Sequence, residues 1–168
     1  MIARRVCCYL MALFAALLIP LAAANADQAF LRFTPLLVDL SGWDGKKAEG
    51  MSMEMPNNSM TTATRDYRRG PAQLHAAIIV GQAAVGALAA TRAGMNIETG
   101  DGHVITSTIN GLAVTKTYNN KQKSGAILIA LGASALLSVS YDGLTEEEAI
   151  QLAQKFDWKA IQAATQAK

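Results

Sequence analysis

Residues 103–118 read HVITSTINGLAVTKTY. The runs on either side of Asn110-Gly111 are rich in Val, Ile, Thr and Tyr, residue types that suit a pleated, half-buried surface. Asn-Gly accepts positive φ at both central positions of a type I′ turn, whose twist matches that of paired strands. The stretch therefore predicts an antiparallel hairpin. The pattern continues downstream, where AILIALGA (126–133) and ALLSVSY (135–141) flank a turn at Gly132 to Ser134, and Asn119 to Gly125 supplies the turn before them. Together these runs predict a four-strand antiparallel meander. Its sides alternate only in part, as expected where helices cover some of the second face.

Toward the N-terminus, AQLHAAIIVG (72–81) reads as a buried strand. In TTATRDYRRG (61–70), Thr62, Thr64 and Asp66 alternate with Ala63, Arg65 and Tyr67. The turn signal Arg69-Gly70-Pro71 joins the two runs as a second antiparallel pair. QAAVGALAATRAGM (82–95) has the composition of a helix with small side chains, ended by Gly94. In QAFLRFTPLLVDLSGW (28–43), Pro35 biases Thr34 away from helix, which predicts a short turn and then a packed extended segment with Phe30, Phe33, Leu37 and Trp43 inward. At the C-terminal end, Thr145 and Glu148 form a capping-box pattern, and Ala149, Ile150, Ala153 and Phe156 give a buried stripe at helical spacing. Asp157 caps a second helix carrying Trp158 and Ile161. The fold expected is α+β, with an antiparallel sheet of about six or seven strands and helices packed on it.

The first residues read as a secretory leader: Arg4 and Arg5, an uncharged and largely apolar run from Val6 to Ala24, and Ala24-Asn25-Ala26 before Asp27. Cleavage after Ala26 is expected, although the run is also long enough to serve as an uncleaved anchor. Residues 1–26 are thus a signal peptide and residues 27–168 a single α+β domain. Removing 26 of 168 residues leaves 142, a common size for one domain. Both cysteines, Cys7 and Cys8, leave with the leader, and so do Arg4 and Arg5. The remainder has thirteen Lys and Arg against thirteen Asp and Glu, so the basic excess belongs to the targeting segment. That weakens any reading as a nucleic-acid binder, and stable membrane insertion is not expected once the leader is gone. The address is periplasmic or secreted.

Three stretches stand out together: LSGW (40–43), ATRDYRRG (63–70) and FDWKAI (156–161). They resemble a set of uncharacterised bacterial exported proteins that pair a Gly-Trp opening with an A-x-R-x-Y strand and close with a helix beginning at Asp. That set is similar in layout to the PsbP-like fold, in which helices flank an antiparallel sheet. The resemblance implies an accessory or binding protein with no shared chemistry, acting through a periplasmic partner protein or a small ligand.

Candidate sites are few. Residues 50–60 read GMSMEMPNNSM, with Met51, Met53 and Met55 at every second position and Met60 beyond. Strand alternation would bury these flexible side chains and leave Ser52 and Glu54 facing water. A second reading is a Cu(I) site, since thioethers are soft donors. Alternate residues on one strand lie roughly 6.6 Å apart, wide for three sulfurs on one ion, and Met60 approaches Met55 if residues 56–59 turn the chain back. A third reading is a methionine-lined contact surface. The alternation favours burial.

Arg65, Arg68 and Arg69 around Tyr67 form the most concentrated positive group and a candidate anion or carboxylate clamp. The plainer reading pairs Arg65 with an acid and leaves Arg68 and Arg69 solvated. Only His75 and His103 are present, without the spacing of a zinc site, and no G-x-S-x-G elbow occurs. An enzyme using carboxylates alone would need Asp66 beside Glu54. No catalytic residue is assigned, and the function expected is non-enzymatic binding.

Overall fold

The computed structural model describes residues 28–55 and 58–167. The leader expected over residues 1–26 lies outside the described residues. Two 3₁₀ turns, Ala29–Arg32 and Thr34–Leu36, open the domain. There follow β1 (Asp44–Gly45), β2 (Glu49–Met55), β3 (Asn58–Arg69), β4 (Ala72–Gly81), α1 (Gln82–Ala87), α2 (Ala89–Arg92) and β5 (Asn96–Thr99). The chain continues through β6 (Gly102–Ile109), β7 (Leu112–Asn119), β8 (Ser124–Gly132), β9 (Ala135–Asp142), α3 (Glu146–Ala153) and α4 (Trp158–Gln166).

The nine strands form one antiparallel sheet in the order β1-β3-β4-β9-β8-β7-β6-β5, with β2 also paired to β3. The architecture is a mostly antiparallel sheet with a few short helices. The count exceeds the six or seven strands expected, because β1 and β5 are short and β2 is a separate strand on the flank of β3. After β4 the chain crosses to the far edge, about 24 Å away over five strand spacings. It then returns as a five-strand meander that sets β9 against β4. Asn110 and Gly111 have φ of 53° and 80°, as the hairpin turn requires.

Period-two alternation divides the side chains between two faces. The front face gathers Ala63, Tyr67, Leu74, Ile78, Ile127, Ile129, Leu137 and Val139 beneath α3, α4 and the opening 3₁₀ turns, and this is the main core. Fully burying one such aliphatic side chain contributes about 1.5–3 kcal/mol. The back face holds a smaller cluster, Leu136 with Ala84 and Leu88 of α1 and its C-cap, flanked by Ile79, Leu128 and Ala130. Gly81, at φ 108°, makes the bend from β4 into α1. A Cβ there would lie 1.9 Å from the Ser59 carbonyl oxygen, so only glycine fits.

Helix ends follow the local code. Thr145 and Glu148 make the full capping box of α3, and Asp157 accepts from the Ala160 amide to cap α4. The helix expected over 82–95 is instead two short pieces, ended by Gly94 at φ 64°. Among the described residues no helix is long and apolar enough to cross a membrane.

Candidate functional site

The stretches LSGW, ATRDYRRG and FDWKAI converge in the front core. The Arg69 guanidinium lies 4.6 Å from the centre of the Trp43 ring, and the rings of Tyr67 and Phe156 are 6.2 Å apart. Arg65 donates to the carbonyls of Leu37 and Lys46, each at 2.7 Å, and pairs with Asp39. Tyr67 donates to the Val38 carbonyl at 2.8 Å, and burial pushes its hydroxyl up to about 12. The three motifs therefore tie the N-terminal segment and the C-terminal helices to the sheet.

The expected clamp of Arg65, Tyr67, Arg68 and Arg69 does not assemble. Alternation places Arg65, Tyr67 and Arg69 on the front face, each already engaged, Arg69 also lying 3.6 Å from Glu148. Arg68 points to the back. The carboxylate pair fails as well: Glu54 lies on the front face opposite Ser59, and Asp66 lies on the back face seven residues along β3. At strand rise that separation exceeds about 20 Å.

The back face carries a row that sequence inspection missed. Asp66, His75 and Ser140 are direct neighbours on β3, β4 and β9. His75 Nδ1 is 2.7 Å from an Asp66 carboxylate oxygen, and Lys46 Nζ is 3.1 Å from the other. The hydrogen bonds from His75 and Lys46 hold the Asp66 carboxyl below its ordinary range. The row lies in a cleft of about 270 Å³ that Arg68 and Asp142 also line. It has the order of a serine triad without the parts. Among the described residues Ser140 makes no hydrogen bond to His75, and β9 is paired on both sides, so its amides serve the ladder and leave no oxyanion donors. The signal was available: a tight turn at Gly70-Pro71 sets Asp66 directly opposite His75.

The other histidine belongs to a clamp on the front face. Glu146, at the start of α3, receives Lys116 Nζ at 2.6 Å and lies 2.5 Å from His103 Nε2. Burial opposes its charge, but the bonds from Lys116 and His103 outweigh burial and lower its pKa. The cluster fastens α3 to β6 and β7. Among the described residues no group of three or more His, Cys, Asp or Glu is arranged to hold a metal ion.

The methionine strand reverses the expectation of burial. Met51, Met53 and Met55 are 48%, 40% and 50% exposed. Their partners on β2 explain why. Gly50 faces front, where a Cβ would stand 2.6 Å from the Phe30 ring, and the Ser52 hydroxyl accepts from the Phe30 amide at 3.2 Å. Ser52 also shares a hydrogen bond with Thr61. The first 3₁₀ turn thus occupies the front of β2 and demands small residues there, which sends the methionines to the back. On the back face, register sets Met53 directly opposite Met60, while Met55 pairs with Asn58. All four methionines lie on one face, and β2 pairs with no strand beyond β3 among the described residues.

No protein-family model matches the chain, and no curated protein or solved structure matches it either.

Proposed function

We propose that this chain is a non-enzymatic accessory domain that acts by binding after export, and that its contact element is the methionine-lined strand β2. The observation that carries this reading is the exposure of Met51, Met53 and Met55 in one row on a strand whose outer edge pairs with nothing among the described residues. Natural sheets guard such edges with lysine, proline or a bulge. The seven residues of β2 have no lysine, proline or bulge, and their two charges are Glu49 and Glu54. A free edge offers amides and carbonyls to an incoming strand, and thioether side chains adapt to varied apolar surfaces. The partner that fits is a protein segment in extended conformation, apolar at alternate positions. Glu49 shares the face of the row and precedes Met51, which favours a basic residue at one end of the segment.

The PsbP-like layout, with helices flanking an antiparallel sheet, belongs to the same reading. The aromatic and arginine motifs here are engaged in holding the scaffold, which leaves recognition to an edge. The experiment is capture from a periplasmic extract by immobilised mature protein beside its M51K/M53K/M55K variant. A discrete protein retained by the first and lost from the second supports the reading. Equal retention by both removes it.

A further inference from the structure

Along β2 alternate side chains are about 6.6 Å apart, but the hairpin supplies a closer neighbour. Residues directly opposite on antiparallel strands have Cβ atoms about 4.5–5.5 Å apart, and diagonal neighbours lie about 7–8 Å apart, within reach of long side chains. Met60 is directly opposite Met53, and Met51 and Met55 flank Met53 on the same face, so both stand diagonal to Met60. Methionine has three rotatable bonds with which to close the remaining distance. Met60 is half-buried and anchors the group, while the other three are open to solvent.

From this register we infer a Cu(I) site in which Met53 and Met60 are fixed ligands and one of Met51 and Met55 is the third. Thioether donors are soft and neutral, and they select Cu(I) over the harder divalent ions. No Lys or Arg occurs between residues 49 and 64, so no cation on this hairpin opposes the bound charge, and Glu49 lies on the same face two residues before Met51. The copper site rests on the exposed hairpin of the binding reading and adds a ligand to it.

The test is anaerobic competition for Cu(I) between the mature protein and bicinchoninate. One equivalent is expected to transfer to the protein. M53L and M60L should each abolish transfer, and only one of M51L and M55L should do so. A second readout uses the unmutated protein: Ag(I) added to methyl-labelled protein should move the Met53 and Met60 ε-methyl NMR signals and leave that of Met95, exposed just before β5, in place. No competition at micromolar Cu(I), or full uptake by M60L, overturns the site. Leucine keeps the row apolar, so the fourfold leucine variant should lose copper yet still capture a protein partner. Copper failure with capture intact defeats only this inference, and copper uptake with no capture defeats only the partner reading.

Discussion

Replacing Arg65 with methionine should destabilise the domain by about 3–6 kcal/mol. The side chain is 13% exposed and holds the Leu37 and Lys46 carbonyls together. A hydrogen bond from a charged donor contributes about 1.5–3 kcal/mol. The Asp39 partner is 90% exposed, and solvent screening limits that ion pair to about 0–1 kcal/mol. The two carbonyl bonds therefore dominate. In a domain of this size the loss corresponds to roughly 10 °C in Tm. Urea unfolding followed by the fluorescence of Trp43 and Trp158 measures it as a shift of midpoint at unchanged slope. D39A should cost under about 1 kcal/mol, and R65K should recover only part, because an ammonium cannot span the fork. If R65M loses less than about 1 kcal/mol, or D39A loses as much as R65M, the account of Arg65 as an internal brace is wrong. A rise in midpoint on adding citrate would instead favour an anion clamp.

Other expectations follow from the same geometry. G81A places a methyl group against the Ser59 carbonyl at positive φ and should cost more than about 2 kcal/mol, read by the same denaturation. Lys116 and His103 hold the folded pKa of Glu146 below the ordinary glutamate range, so its contribution is complete above the unfolded pKa and is lost as pH falls through the folded value. Stability measured from pH 7 to pH 3 should show wild type and E146Q converging in acid; a gap that persists at pH 3 would contradict the clamp. M51K/M53K/M55K should lie within about 1.5 kcal/mol of wild type, since exposed substitutions change little. A buried row would lose several times that.

The parts of the fold set by local chemistry were legible in the sequence. Asn110-Gly111, Thr145 with Glu148, and Asp157 each fix a backbone conformation through their own side chains or lack of one, and each does so here. β5 was not legible, because its four exposed residues are held by the β6 ladder and not by an apolar pattern. The orientation of β2 was misread for a related reason. Period two tells which residues share a face, but not which face is covered, and the covering residue, Phe30, is twenty positions away from Gly50. A four-residue turn over 56–59 would match Met60 with Met55; the observed register pairs Met60 with Met53 instead. Arg65 and Arg69 looked like a binding group because their partners, Leu37, Lys46 and Trp43, are distant in the chain.

Whether the methionine row meets a partner protein is read out by site-specific photocrosslinking in the producing cell. A photoreactive residue at position 53 should give one discrete adduct, with none from the same residue at Thr108, which is exposed on β6. Absence of any adduct at 51, 53 and 55, or an equal one at 108, would contradict that contact.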